Sequence, residues 1–329
     1  MSNIQLSVAI GDYDQLRDVT NGRVRAEGID IHPINLSIEE TFFRFIKFQE
    51  WDVSEVSFAK ALSLVSQDNP WLVLIPVFPS RAFRHSSIYI RKDSGITKPE
   101  DLAGKRIGIP EWAQTASIYS RGLLAHEYGI DLRSIEWFQA GVNDAGRKEK
   151  VTLQLPEGIR YQAMPNNSLS QMLLDGQLDA VLSARPPNAF LHHGDVVERL
   201  LSNYRELEMA YWEKTKIFPI MHVIAIKRET YEKNPWIAGN LMNAFEEAKN
   251  RSLERASDIT ASYYPIPWVP DYTQISKKIM GEDYWPYGIE NNRSTLEAFT
   301  QYAFEQGITR RHMKPEEIFV KEVLDRVKV

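Results

Sequence analysis

The nine residues Phe78-Pro79-Ser80-Arg81-Ala82-Phe83-Arg84-His85-Ser86 put two guanidinium groups, an imidazole, two aromatic rings and two hydroxyls into one loop. The run before it, Trp71-Leu72-Val73-Leu74-Ile75-Pro76-Val77, reads as a buried strand, and Ser86-Ser87-Ile88-Tyr89-Ile90-Arg91 reads as the strand that follows. A loop this polar between two core strands packs poorly and is well placed to hold an anion.

Upstream of the loop, strands and helices alternate. Residues 4–10 form a strand that ends at the polar tip Gly11-Asp12-Tyr13-Asp14, where Asp12 or Asp14 is placed to cap the next helix. A second strand covers 29–34. Ser37 before Ile38-Glu39-Glu40 fits a capping box, and the helix over 38–48 carries Phe42, Phe43, Phe45, Ile46 and Phe48 as a wide apolar face. Val53-Ser54-Glu55-Val56-Ser57 is a short strand with a helix after it. This alternation predicts an α/β lobe with a largely parallel sheet.

Downstream, a second α/β unit begins. Ile107 to Ile109 is a strand leading through Glu111-Trp112-Ala113-Gln114-Thr115-Ala116-Ser117 into a helix over 116–127, whose N-terminus offers backbone N–H groups to an anion. A strand follows at 135–138, then a charged, Gly-containing insertion over 141–160 expected to be extended and partly mobile, a helix over 168–174 and a strand over 178–182 that ends at Ser183-Ala184-Arg185-Pro186-Pro187. The strand in 218–228 crosses back to the first lobe. A long helix over 234–257 and helices near 293–306 and 315–327 complete the chain. The lobes are therefore expected at 1–90, 91–216 and 217–329, the last segment completing the first, with strand tips facing one crevice.

Composition narrows the chemistry. The chain has 329 residues, 43% apolar and 25% charged, enough for two cores. It contains no cysteine, which excludes disulfides, thiolate metal sites and thiol nucleophiles. The net charge of −5 is spread without blocks, so neither nucleic acid nor a membrane is expected as a partner. A start at Met1 without a basic and apolar leader predicts a cytoplasmic protein, although a secreted chain after cleavage would read alike. No G-x-S-x-G, P-loop or G-x-G-x-x-G occurs, and the histidine spacing supports no metal site.

The pattern resembles the α/β, two-lobed type II periplasmic-binding-protein-like fold, with a ligand cleft between the lobes. Phe78 to Ser86, Pro219-Ile220-Met221-His222, Tyr287-Gly288-Ile289-Glu290-Asn291-Asn292-Arg293 and Glu305-Gln306-Gly307-Ile308 resemble more specifically the 4,5-dihydroxyphthalate decarboxylase family. The resemblance implies a cytoplasmic, cofactor-independent enzyme that removes one carboxylate from 4,5-dihydroxyphthalate, or a close hydroxylated aromatic acid, to leave 3,4-dihydroxybenzoate. A small aromatic di-acid is then the partner, and a homo-oligomer is compatible. The rival from another class is a non-catalytic solute-binding protein for an aromatic dicarboxylate or other small anion.

Such a reaction needs a cation for the retained carboxylate and an acid that protonates the ring carbon. Arg81 and Arg84 are the first candidates for anchoring, because a guanidinium matches a carboxylate at two points. Arg185 is a third candidate, on the opposite tip. His85 and His222 are the acid–base candidates: His85 because arginines flank it, His222 because it interrupts an apolar strand. Asp12, Tyr13, Trp112, Thr115 and Ser117 are substrate-binding candidates by topology, against ordinary roles as turn, core and cap. Trp285 and Tyr287 are candidates for ring stacking or for core. His32, His126 and His312 are expected to be structural, and His192-His193 exposed.

Overall fold

The computed structural model describes residues 3–324. Its strands are β1 (Ile4–Ala9), β2 (Ile29–Ile34), β3 (Val53–Ser57), β4 (Leu72–Ile75), β5 (Ile88–Arg91), β6 (Arg106–Ile109), β7 (Glu136–Gly141), β8 (Arg160–Ser168), β9 (Ala180–Leu182), β10 (Val197–Arg199) and β11 (His222–Lys227). They form two sheets, ordered β2-β1-β3-β11-β4 and β10-β5-β9-β6-β7-β8. Each sheet centres one compact unit. Of the described residues, the first unit holds those up to Arg81, Ile220–Glu297 and those from Met313 onward; the second holds Ala82–Pro219 and Ala298–His312. The crossings thus fall after Arg81 and Pro219, against the 90 and 216 read from the sequence, and a third segment returns to the second unit.

In the first unit β1 pairs in parallel with β2 and β3, while β11 runs antiparallel between β3 and β4. All five residues of β3 are buried because the strand lies inside the sheet and is covered by helices. Helix 38–48 begins at Ser37, whose hydroxyl accepts the Glu40 N–H. Its buried face is narrower than the sequence indicates: Phe45 is fully covered, but Phe43 and Phe48 are exposed. Neither Asp12 nor Asp14 caps helix Asp14–Thr20, which starts at Tyr13 without a side-chain cap. The Asp14 carboxylate instead accepts bonds from Ser252, Arg255 and Tyr264, tying that helix to the 21-residue helix Ile237–Ser257.

In the second unit β6, β7, β8 and β9 run parallel, and β5 is antiparallel to β9 and β10. Strand β8 carries no clear apolar alternation and went unread in the sequence. The segment before it is pinned rather than loose: Glu111 pairs with Arg147 at 2.7 Å, Gln139 Nε2 donates to the Arg147 carbonyl, and Glu149 accepts the Trp112 N–H at 2.6 Å. After helix Arg293–Glu305, no α-helix forms in 315–324, the described part of the helix expected over 315–327. Two short 3₁₀ turns, Pro315–Glu317 and Lys321–Val323, stand there, and 325–329 lie outside the described residues. No described helix is long and apolar enough to cross a membrane.

Candidate active site

A buried polar cluster lies in the first unit, where β11 runs beside β3 with His222 opposite Ser57. Glu55, in the middle of β3, is 0% exposed. Three polar groups meet its carboxylate: the Gly11 N–H donates at 2.9 Å to Oε2, the Tyr13 hydroxyl donates at 2.8 Å to Oε1, and His222 Nδ1 lies 2.6 Å from the same Oε1. A buried carboxylate is tolerable only when satisfied in this way. Burial, then the charge of Glu55, pushes the Tyr13 phenol well above its usual range, so its hydroxyl stays protonated and donates. Gly11 makes the approach possible, since a Cβ there would lie 2.6 Å from the Tyr13 ring and 3.2 Å from Glu55 Oε2.

His222 itself is 19% exposed, with Phe42 edge-on to its ring at 4.9 Å. Among the described residues Nε2 has no hydrogen-bond partner in the protein, while Nδ1 lies against Glu55. The cluster therefore presents one ring nitrogen outward from a buried, fully engaged carboxylate. Of this cluster, His222 and Tyr13 are candidates that the sequence names, and Glu55 is not. Its signal was an acid in a five-residue strand otherwise made of Val and Ser.

The other first-unit candidates have different surroundings. Arg81 is 6% exposed. It donates to the Pro286 carbonyl at 2.6 Å and Asn292 Oδ1 at 2.5 Å, with its guanidinium over Phe78. It thereby holds the loop that contains Trp285 and Tyr287; Trp285 Nε1 donates to the Phe78 carbonyl, and Tyr287 is core. Asp12 is solvent-exposed and pairs with Arg17 at 3.3 Å.

In the second unit, Arg84 and His85 meet helix Tyr204–Thr215. Burial lowers the Arg84 guanidinium to about 10 against the opposing charge of Glu208. His85 is 3% exposed and burial pushes it down to about 4, leaving a neutral ring at neutral pH and a poor proton donor. Its Nδ1 stands 4.0 Å from Glu208 Oε1, and burial raises Glu208 to about 7.

Trp112 is buried in the second unit. It is 1% exposed, Nε1 donates to the Gln306 carbonyl, and the Arg121 guanidinium stacks on its ring at 3.8 Å. Thr115 and Ser117 are buried too, the latter with its hydroxyl on Gln114. Arg185 is exposed just beyond β9. His32 bonds Gln5, His126 pairs with Glu305, His312 stacks on Phe304, and His192 and His193 are exposed. No group of three or more His, Asp or Glu among the described residues is arranged to hold a metal ion.

A family model described as an ABC transporter, phosphonate, periplasmic substrate-binding protein matches residues 13–180. A periplasmic sulfonate-binding protein of Methylobacillus flagellatus superposes with a TM-score of 0.57 at 12% identity, over 98% of this chain and 93% of that one. The aliphatic sulphonate binding protein of Escherichia coli gives 0.54 at 11% identity, over 98% and 99%. The fold is that of the periplasmic binding proteins. In sequence, the chain is 36% identical to 4,5-dihydroxyphthalate decarboxylase of Comamonas testosteroni over the full length of both. It is 38% identical to the same-named protein of Pseudomonas putida, over 58% of this chain and 74% of that one. The chain belongs to the 4,5-dihydroxyphthalate decarboxylase family.

Proposed function

We propose that the protein is a carboxy-lyase that converts 4,5-dihydroxyphthalate to 3,4-dihydroxybenzoate and carbon dioxide, with His222 as the proton donor. The observation that carries the activity is the full-length match to a decarboxylase of that name. Placing the enzyme in the cytoplasm belongs to the same reading.

The chemistry favours a donor such as His222. Direct cleavage of the ring–carboxylate bond would leave an aryl anion. Protonation at the carboxyl-bearing carbon, with electron release from the para oxygen, avoids it. The proton passes from His222 Nε2 to that carbon, the C–C bond pair returns to the ring as carbon dioxide departs, and the imidazole regains a proton from solvent. A positioned acid contributes about 10²–10⁴-fold.

Purified protein incubated with 4,5-dihydroxyphthalate is expected to release carbon dioxide and accumulate 3,4-dihydroxybenzoate. Tight binding without release would make it a binding protein. His222→Asn is expected to lower kcat by about 10²–10⁴-fold with a modest change in KM; wild-type turnover in that variant would remove His222 from the chemistry.

A further inference from the structure

The His222 ring meets a buried carboxylate at Nδ1. We propose that Glu55 is the positioning residue that fixes the His222 tautomer, with the proton on Nδ1 directed to Glu55 and the Nε2 lone pair directed outward to receive and return a proton. This rests on His222 acting in the decarboxylation and adds a positioning residue to it.

The geometry is specific to that role. Glu55 Oε1 lies 2.6 Å from His222 Nδ1 and accepts from the Tyr13 hydroxyl at 2.8 Å, while Oε2 accepts the Gly11 N–H at 2.9 Å. Tyr13 is 3.4 Å from the same Nδ1. With its hydroxyl bonded to Glu55, Tyr13 is a bystander at that nitrogen rather than a rival acceptor. Gly11 and Tyr13 sit at one strand tip, Glu55 within β3 and His222 at the start of β11, so two backbone segments fix the carboxylate against an imidazole carried by a third. An acid with both oxygens held cannot rotate away from the ring. A neutral imidazole free in water favours the opposite tautomer, with the proton on Nε2, and a carboxylate on Nδ1 reverses that choice.

The role differs from simple packing. A packing residue at this site would contribute stability and leave the ring chemistry alone. An orienting carboxylate supports the imidazolium each time the ring carries the proton to be delivered, and restores the same tautomer after delivery.

The test uses intact protein labelled with ¹⁵N in histidine, the His222 signals being assigned by their loss in His222→Asn. In wild-type protein above the titration of the ring, His222 is expected to give the Nδ1-protonated pattern; an Nε2-protonated pattern overturns the proposal without recourse to any variant. Glu55→Gln keeps the shape and can donate its amide N–H to Nδ1. It is expected to shift the ring toward the Nε2-protonated form and to lower kcat about 10–100-fold with KM within about twofold. An unchanged tautomer together with unchanged kcat overturns the proposal while carbon dioxide release by wild-type protein leaves the decarboxylase reading standing. If wild-type protein releases no carbon dioxide, that reading falls, and the tautomer measurement still decides whether Glu55 positions the ring.

Discussion

At the scale of single residues, the arrangement around His222 depends on a position with no side chain. A Cβ on Gly11 would meet the Tyr13 ring at 2.6 Å, the Ile38 side chain at 2.7 Å and Glu55 Oε2 at 3.2 Å. Gly11→Ala therefore has to move the ring or the carboxylate. The expected cost is about 1–3 kcal/mol of stability, typical of overpacking, with a further fall in kcat because the carboxylate shifts against the imidazole. Urea unfolding and steady-state kinetics read the two effects separately. Wild-type kcat in a stably folded Gly11→Ala protein would show that the carboxylate's placement is immaterial. The sequence made part of this visible. His222 interrupts an apolar strand and Tyr13 lies on a strand tip, and both are local signals. Glu55 was harder to read, since its burial comes from neighbours on either side of β3, one parallel and one antiparallel, that only the tertiary fold supplies.

At the scale of elements, the 3₁₀ turn His85–Ser87 against helix Tyr204–Thr215 buries two titratable groups with opposite pH dependence. Glu208 is raised to about 7 from an ordinary 4.5, so the folded chain holds its proton more tightly than the unfolded chain. Its contribution is full below pH 4.5 and is lost as pH rises through 7. His85 is lowered to about 4 from 6.5, so its contribution is present above pH 6.5 and is lost as pH falls through 4. Each amounts to roughly 3 kcal/mol at 1.36 kcal/mol per pH unit. Their slopes nearly cancel between pH 4.5 and 6.5. Urea midpoints followed across pH 4–7.5 are expected to rise more steeply with pH in Glu208→Gln and to fall more steeply in His85→Asn than in wild type. Parallel curves for all three would show that the turn and helix do not bury these groups. Elements were legible where a period repeats, as in helix Ile237–Ser257. They were not legible at β8, where burial alternates weakly, or over 315–324, where a helix-like composition forms two turns.

At the scale of the molecule, the sequence supports two α/β units and a return crossing, but not the third crossing that delivers Ala298–His312 to the second unit. A helix gives no sign in its own pattern that its halves belong to different cores. The consequence is that the second unit is not encoded by one continuous stretch. Phe299 stacks on Tyr119 at 4.7 Å, Tyr302 packs where a Cβ on Gly122 would come within 2.3 Å of its ring, and Gln306 accepts Arg121 Nε at 2.8 Å and the Trp112 indole N–H at 2.8 Å. Arg121 is wholly buried, and burial lowers its guanidinium to about 9. Gln306→Ala removes the side-chain acceptor from a buried cation, and the expected loss is about 2–4 kcal/mol, between an unsatisfied buried polar group and a broken buried ion pair. A fragment ending at Pro219 loses the whole segment and uncovers Tyr119, Gly122 and Trp112. Residues 82–219 expressed alone are expected to unfold without cooperativity and to bind a hydrophobic dye, while the same residues joined by a flexible linker to 298–312 regain a cooperative urea transition. A cooperative transition in 82–219 alone would mean that the returning segment decorates a core already complete.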